Sequence, residues 1–392
     1  MKVLAPASLN ELQQQVRQFH GEATPWLPSG LGSRLDWGPP VASGSVVLSV
    51  RELGGIRAHS PGDFTLTVAA GTPLVEVQEA LAHHRQWLGV DAPWGSADTS
   101  IGGLIARGLS GGYRLRAMGV RDQLLGLQLL RSDGVLARAG GKVVKNVAGY
   151  DLMRLLSGSW GSLGLITELT LRTQPLPPQR RLLVVQDTLP QLHNLSRWLL
   201  SSSLSPERID LWSAPLAAAA GLGAQPLLLL SLASIDAATL DEQIACIAGR
   251  APGLRQVEAV AATALLASAR GVGHEHHADW LLRLAVPPAQ ATALLDAPEL
   301  NGMAVALAAG SGSGDGWAPA AALQRHRAEA LRRRCQQLGG YLTVLRQPTP
   351  AAGAAPMPAW LDAPSRALIE TVKRSFDPRQ QLARGRLPGV CP

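Results

Sequence analysis

Apolar positions recur with helical spacing at Leu9, Leu12, Val16 and Phe19, directly behind Ser8 and with Glu11 three residues on. That is a capping-box start and predicts a first helix. Two short apolar runs, "TPWLP" and "SVVLSV" (45–50), predict strands, with the loop "SGLGSRLDWG" between them. In "DFTLTVAAG" the alternation of Phe64, Leu66 and Val68 predicts a half-buried strand. Thr72 at the cap and Pro73 in the first turn predict the next helix, with Leu74, Val77 and Leu81 as its apolar face. "WLGVD" predicts a further short strand, and "QLLGLQLLRSDGVLARAGG" a hairpin turning at Ser132, Asp133 and Gly134. "YDLMRLLSG" reads as a short helix stopped by Gly158. "LGLITELTLRTQPLP" reads as a strand with Leu165, Thr167, Leu169 and Leu171 on one face.

Pro175, Pro177 and Pro178 then close a unit. From about 180 to 346 the texture changes, and strand-like and helix-like patterns recur in turn. They include "RLLVVQ", "QLHNLSRWLL", "RIDLW", "PLLLLSLA", "DWLLRLAVP", "GMAVALAAG", a long helix around 319–338 and "YLTVLR". The pattern predicts an α+β region with helices on one face of a sheet. "PTPAAGAAPMPAW" (348–360) is a Pro/Ala linker, and "PSRALIETVKRSFDP" a last amphipathic helix. The expected division is 1–178, with an internal break near 51–60, then 179–347, then 348–392.

Composition narrows the functional classes. The 392 residues are 46% hydrophobic and 17% charged, which excludes wholesale disorder. Lys and Arg number 36 against 29 Asp and Glu, giving a net charge of +7. Most of the excess is arginine scattered singly, and aromatics are only 4%, so no basic stripe interleaved with stacking rings supports nucleic-acid binding. Cys246, Cys335 and Cys391 lie far apart and form no C-x-x-C pair, so no local iron–sulfur or zinc set is expected. Gly221, Gly223, Gln225 and Pro226 interrupt the uncharged stretch 213–235, which reads as a buried strand and not as a membrane span. With no signal-like N-terminal segment, a cytoplasmic protein is expected.

Chemistry concentrates in two glycine-bearing segments. "PSGLGSR" (28–34) follows a strand, and Gly30 and Gly32 leave its main-chain N–H groups unobstructed, as in an anion nest. "ADTSIGGLIARGLSGG" places Thr99 and Ser100 at the start of a short helix whose N-terminus also favours an anion. Two such backbone sites in one unit suit a diphosphate better than a single phosphate. No G-K-[ST] follows, which excludes a P-loop.

In this order and spacing, "PSGLGSR", "AGTPLVEVQEALAHHRQWLGVDAP", "ADTSIGGLIARGLSGG", "MGVRDQLLGLQLLRSDGVL" and "GGKVVKNVAGYDLMRLLSGSWGSLGLITELTLRTQPLP" carry a resemblance. They resemble the p-cresol-methylhydroxylase-type FAD domain of the vanillyl-alcohol-oxidase superfamily. "KNVAGYDLMRLLSGSWGSLG" is similar, more particularly, to the FAD-binding E-subunit family of glycolate oxidases. The resemblance implies an α+β fold: a two-subdomain FAD-binding domain, then an α+β cap with a mainly antiparallel sheet, then a tail helix returning to the FAD domain. It implies that Ser29, Gly30, Leu31, Gly32, Ser33 and Arg34 hold the FAD pyrophosphate from one side. Asp98, Thr99, Ser100, Gly102 and Gly103, with Trp94 beside them, would hold it from the other. Gly108, Ser110 and Gly111 would let the backbone approach the flavin, and Gly164 and Ile166 would meet the adenine end. The implied activity is an FAD-dependent oxidoreductase on CH–OH groups, glycolate to glyoxylate. A sister FAD subunit and an iron–sulfur subunit are the implied partners, and through them peripheral contact with a membrane. A self-sufficient dehydrogenase of glycolate or D-lactate and a non-catalytic scaffold are the alternatives.

Four further readings complete the expectations. Neither loop contains His or Cys, so the FAD should be non-covalent. His274, His276 and His277 in "GVGHEHHADW" have a spacing that fits known ligand sets poorly. They read as a polar loop, and no metal is expected. Lys145, Asn146 and Asp151 either close over the flavin or face a partner, or else Asn146 shapes a turn and Asp151 caps a helix. Finally, the tail "FDPRQQLARGRLPG" has Ala383 and Arg384 where the family usually carries Asn-Pro, which weakens any flavin contact there but leaves Arg386 within reach.

Overall fold

A computed structural model describes residues 2–92, 94–95, 98–142, 150–272, 279–350 and 353–391. Strands Val3–Leu4, Trp26–Ser29 and Val46–Ser49 form a parallel sheet with Val46–Ser49 in the middle. Helix Leu9–Glu22 starts where its cap predicts. The Ser8 hydroxyl accepts from the Glu11 N–H at 3.2 Å, and Leu12, Val16 and Phe19 are buried along one face.

A second, antiparallel sheet runs in the order Ile56–Ser60, Thr65–Ala69, Leu165–Arg172, Leu124–Leu130, Leu136–Gly140. One apolar core joins the two sheets, with Leu12, Trp26 and Leu48 clustering with Leu66, Leu169, Ile101 and Ile105. Strand Thr65–Ala69 was expected to be half-buried, but all five of its residues are buried. Thr67 and Thr170 satisfy each other across the sheet at 3.0 Å, which is how polar residues are accommodated there. Two local expectations need correction. Thr72 does not cap helix Leu74–Ala82. Pro73 holds that place, while the Thr72 hydroxyl donates to the Ala69 carbonyl at 2.7 Å. The short strand is Gln86–Trp87, paired with Gln174–Pro175, and not "WLGVD".

Residues 179–346 build an eight-stranded antiparallel sheet, ordered Leu254–Val257, Gln179–Gln186, Leu227–Ser234, Pro206–Trp212, Ala304–Ala308, Ser313–Ala318, Trp280–Ala285, Tyr341–Arg346. Leu227, Leu228, Leu229 and Leu230 are all fully buried. Leu228 and Leu230 pack into a core with Leu192 and Leu331, from helices Leu189–Ser201 and Arg325–Gln337. Leu227 and Leu229 face the other way, toward Leu216, Leu265, Trp37 and Trp94. The sheet is therefore covered on both faces, not on one. Its second cover includes helices Ala214–Ala219 and Ala259–Ser268 and residues from the N-terminal region.

The tail comes back to the beginning. Trp26 N–H donates to the Gln381 carbonyl and Ala383 N–H to the Trp26 carbonyl, both at 2.9 Å. Lys373, buried in helix Arg366–Phe376, donates to the Ser162 carbonyl at 2.7 Å, to Asp377 at 2.6 Å and to the Leu382 carbonyl at 2.9 Å. This anchoring carries Arg386 to the loop after strand Trp26–Ser29. Among the described residues no helix is long and apolar enough to cross a membrane.

Candidate functional site

The loop leaving strand Trp26–Ser29 leans directly on the start of helix Ile101–Arg107. A Cβ added at Gly30 would stand 1.9 Å from the Ser100 hydroxyl oxygen, so only glycine fits. Gly32 has φ +85°, the left-handed region that glycine tolerates. The Ser49 hydroxyl donates to the Gly30 carbonyl at 2.6 Å and fixes the loop from beneath. Among the described residues, none accepts a hydrogen bond from the main-chain N–H groups of Gly30, Leu31, Gly32 and Ser33. These are the free amides an anion nest needs.

The facing segment behaves differently. Ile101 N–H donates to the Thr72 carbonyl and Gly102 N–H to the Ala70 carbonyl, both at 2.9 Å, while Gly103 N–H donates to the Ser100 hydroxyl at 3.1 Å. The first turn of this seven-residue helix is thus engaged within the chain. The expectation of an anion-seeking helix start is corrected for Ile101, Gly102 and Gly103, whose N–H groups are taken, whereas those of Thr99 and Ser100 just before them find no acceptor among the described residues. Gly102 has a packing reason, since an added Cβ would lie 2.7 Å from the Ala70 Cβ.

Between the two segments lies a cavity that opens to solvent. Of the residues expected at the site, Ser29, Gly30, Leu31, Gly32, Ser33, Arg34, Thr99, Ser100, Gly102, Gly103, Gly164 and Ile166 line it. Trp94, Asp98, Gly108, Ser110 and Gly111 do not. Trp94 packs edge-on against Trp317, with ring centres 5.3 Å apart. Asp98 is exposed and pairs with Arg34 at 3.4 Å. Gly108 ends the helix at φ +67°, where a Cβ would meet the Gly158 amide nitrogen at 2.8 Å. The histidine cluster 274–277 and the pair Lys145 and Asn146 lie outside the described residues. Asp151 precedes helix Leu152–Leu156 without a side-chain cap and pairs with Arg154 at 3.2 Å.

Residues 2–140 match the family model described as FAD binding domain. This part of the chain is an FAD-binding domain. The chain is 39% identical over 166 residues to the glycolate oxidase subunit GlcE of Escherichia coli K12, covering 42% of this chain and 47% of the relative. It is 37% identical over 186 residues to a D-2-hydroxyglutarate dehydrogenase of Xanthomonas citri pv. viticola, covering 47% of this chain and 39% of that one. The chain thus spans less than half the length of these curated relatives. An alkyldihydroxyacetonephosphate synthase structure superposes with a TM-score of 0.71 at 14% identity, over 97% of this chain and 75% of that one, a likeness of fold.

The cavity of this FAD-binding domain fits a dianionic cofactor in its charge. The charged side chains lining it are Arg34, Arg107 and Arg386, with no acid among the described lining residues. Arg107 and Arg386 staple the segment after the amide loop. Arg107 donates to the Arg34 carbonyl, and Arg386 to the Leu35 carbonyl at 2.9 Å and to the Trp37 carbonyl. The Arg107 guanidinium sits 4.1 Å from the centre of the Trp160 ring and 5.8 Å from that of Trp37. Burial first, then the like charges of Arg386 and Arg34, push Arg107 down to about 9. Burial likewise pushes Arg386 down to about 10. Sequence reasoning missed Arg107, Trp37 and Trp160. The available signal was spacing: Arg107 follows Gly103 by four residues, on the same face of its helix.

Gly111 lines a second, smaller cavity against the eight-stranded sheet, and Ser110 borders it through its carbonyl. Arg208 pairs with Asp91 at 3.1 Å and with Asp210, while Arg283 pairs with Asp315 at 3.2 Å and donates to the Ser110 carbonyl. Tyr113 N–H donates to Asp91 at 3.0 Å. A Cβ on Gly111 would lie 2.6 Å from Asp91, and one on Gly112 2.4 Å from the Asp210 Oδ1. In this structure these two glycines admit buried ion pairs to the backbone. Burial, with Asp91 adding to it, pushes Asp210 up to about 6 against the opposing pull of Arg208.

Proposed function

We propose that this chain is the FAD-binding subunit of a multi-subunit glycolate oxidase or dehydrogenase. Glycolate would become glyoxylate, with electrons leaving through a sister flavoprotein subunit and an iron–sulfur subunit. The observation that carries the reading is the set of unengaged amides at Gly30, Leu31, Gly32 and Ser33, facing a cavity with no acid among its described lining residues, in a domain of the FAD-binding family. The 39% identity to the E. coli glycolate oxidase subunit supports the substrate class.

In this reading residues 1–178 carry the cofactor, 179–347 cover it and 348–392 return to it. Glycolate would be oxidised at the sister subunit; rather than meet the substrate, the cofactor of this chain, when bound, would supply electron-transfer chemistry. The chain's own part is to hold it: the amides of 30–33 take the diphosphate, the Gly30–Ser100 contact keeps side chains out of its path, and Gly164 and Ile166 border the adenine end. No His or Cys stands in either loop, so the FAD is non-covalent. A self-sufficient 2-hydroxy acid dehydrogenase is the second reading, favoured by the 37% identity to the D-2-hydroxyglutarate enzyme.

The test is to purify the full chain, record its flavin spectrum, precipitate a portion with acid, and add glycolate anaerobically to the rest. Yellow supernatant and a flavin that glycolate leaves unbleached support the subunit reading. Bleaching supports the self-sufficient enzyme, and a colourless protein that takes up no FAD overturns both.

A further inference from the structure

An anion nest of neutral amides compensates two negative charges poorly inside a half-enclosed cavity. Charge of the opposite sign usually has to be close by. Here it stands on the same wall. Three arginines line the cavity, Arg34 with Asp98 as its acidic partner at 3.4 Å, while Arg107 and Arg386 have only carbonyl acceptors. The Arg107 Nη1 and the Arg386 Nε are sealed from solvent and have no hydrogen-bond partner. Arg270 and Arg332 share that condition at Nε, so what sets Arg107 and Arg386 apart is their place: both line the cavity beside the free amides. The guanidiniums also staple residues 34–37, the stretch that directly continues the free amides.

We infer that Arg107 and Arg386 are the counter-charges for the cofactor's diphosphate, supplying two positive charges opposite the two negative ones that the amides of residues 30–33 cradle. The inference rests on the FAD reading above and adds to it two side chains that a backbone-only cradle does not require. Burial, then the like charges of Arg386 and Arg34, lower Arg107, and an anion at the same place counters the like charges. A carboxylate of a small hydroxy acid is the competing ligand for the same donors. The adjacency to the amide loop and the match of two charges with two favour the diphosphate.

The experiment uses the flavin-free full chain and titrates FAD and riboflavin, which carries the ring without phosphate, against wild type, Arg107→Gln and Arg107→Lys. Loss of a charge-assisted hydrogen bond predicts that Arg107→Gln weakens FAD by about 10- to 100-fold. Riboflavin should be unaffected, and Arg107→Lys should recover part of the loss. Inorganic pyrophosphate should displace FAD from wild type and glycolate should not. Equal affinity of wild type and Arg107→Gln for FAD, or equal losses for FAD and riboflavin, overturns the inference while leaving FAD binding intact. Competition by glycolate but not pyrophosphate reassigns the arginines to a carboxylate and also overturns it. Failure of wild type to bind FAD at all sinks the underlying reading instead. If Arg107→Gln does not fold by circular dichroism, Arg107→Lys and the pyrophosphate displacement decide the matter.

Discussion

Two groups of arginines occupy this molecule, and their surroundings differ in one respect. Around the smaller cavity, Arg208, Arg270 and Arg283 share the lining with Asp91, Asp210 and Asp315, three cations for three acids. Around the large open one, Arg34, Arg107 and Arg386 meet no acid among the described lining residues. In the first group Arg208 pairs with Asp91 and Asp210 and Arg283 with Asp315, which ties Asp91, from the FAD-binding domain, to the eight-stranded sheet. In the second, Arg34 pairs with Asp98 outside the lining, while Arg107 and Arg386 donate to carbonyls and feel the charge of Asp36 without a hydrogen bond to it. Buried charge that is matched holds the protein together, and buried charge that is unmatched invites a ligand.

The largest effect expected from this contrast is on stability. Arg208→Met leaves Asp91 and Asp210 buried without their cation, at a cost on the order of 3–5 kcal/mol. Denaturant unfolding of the flavin-free chain should show that loss. Arg107→Gln in the same measurement should cost less, about 1 kcal/mol, because it loses a carbonyl hydrogen bond and the Trp160 contact but strands no buried acid. Comparable losses for the two variants would erase the distinction.

Next comes the contact that shapes the cradle. Gly30→Ala drives a methyl group into the Ser100 hydroxyl, where the native separation allows 1.9 Å. Overpacking of this kind costs about 1–3 kcal/mol, and FAD affinity should fall at least tenfold as the loop shifts. The double variant Gly30→Ala/Ser100→Ala should recover part of both, since it clears the clashing oxygen. A double variant no better than the single one would place the cause elsewhere in the loop.

Much of the scaffold was legible beforehand, and the part that was not has a common cause. The Ser8 cap, the hairpin at Ser132, Asp133 and Gly134 and the leucine strand at 227–230 announce themselves in local pattern, because their signals lie within a few residues. Strand Ser313–Ala318 did not, since "SGDGWA" reads as a turn. Its Gly314 is needed because a Cβ would lie 1.8 Å from the Ala306 carbonyl oxygen of the neighbouring strand. The glycine loop at 30–33 was readable as an anion site. That Ile101 and Gly102 spend their amides on Thr72 and Ala70 was not, because those acceptors come from a separate turn. Nor could Gly111 and Gly112 be assigned to ion pairs whose members are spread from Asp91 to Asp315. Arg386 is suggested by its tail motif and does reach the cavity, whereas no local motif singles out Arg107.

The Arg–Asp cluster also predicts a pH response. Asp210, raised by burial to about 6, takes up a proton on folding at mildly acidic pH, whereas the unfolded carboxyl does so only near 4. Its ionised form is therefore a cost above pH 6, relieved as pH falls through 6. Between pH 7 and pH 5 this group alone should add about 1 kcal/mol of stability in wild type. Asp210→Asn should lack that increment, and parallel pH profiles for the two proteins would remove Asp210 as its source.

The smallest effect separates two roles for one exposed residue. Asp98 was expected to touch the cofactor, but it lies outside the cavity lining and pairs with Arg34 at the surface, its side chain 62% exposed. Exposed ion pairs contribute about 1 kcal/mol at most, so Asp98→Asn should leave the unfolding midpoint nearly unchanged. Its influence on FAD has opposite signs in the two cases. A residue that holds the cofactor loses affinity when neutralised. A partial counter-ion to the cavity instead leaves the arginines more positive, so the variant should bind FAD slightly tighter, by less than about threefold at low ionic strength, with the gain fading as salt screens the pair. Weaker binding in Asp98→Asn would return Asp98 to the site and show that the charge contrast between the two cavities is drawn too sharply.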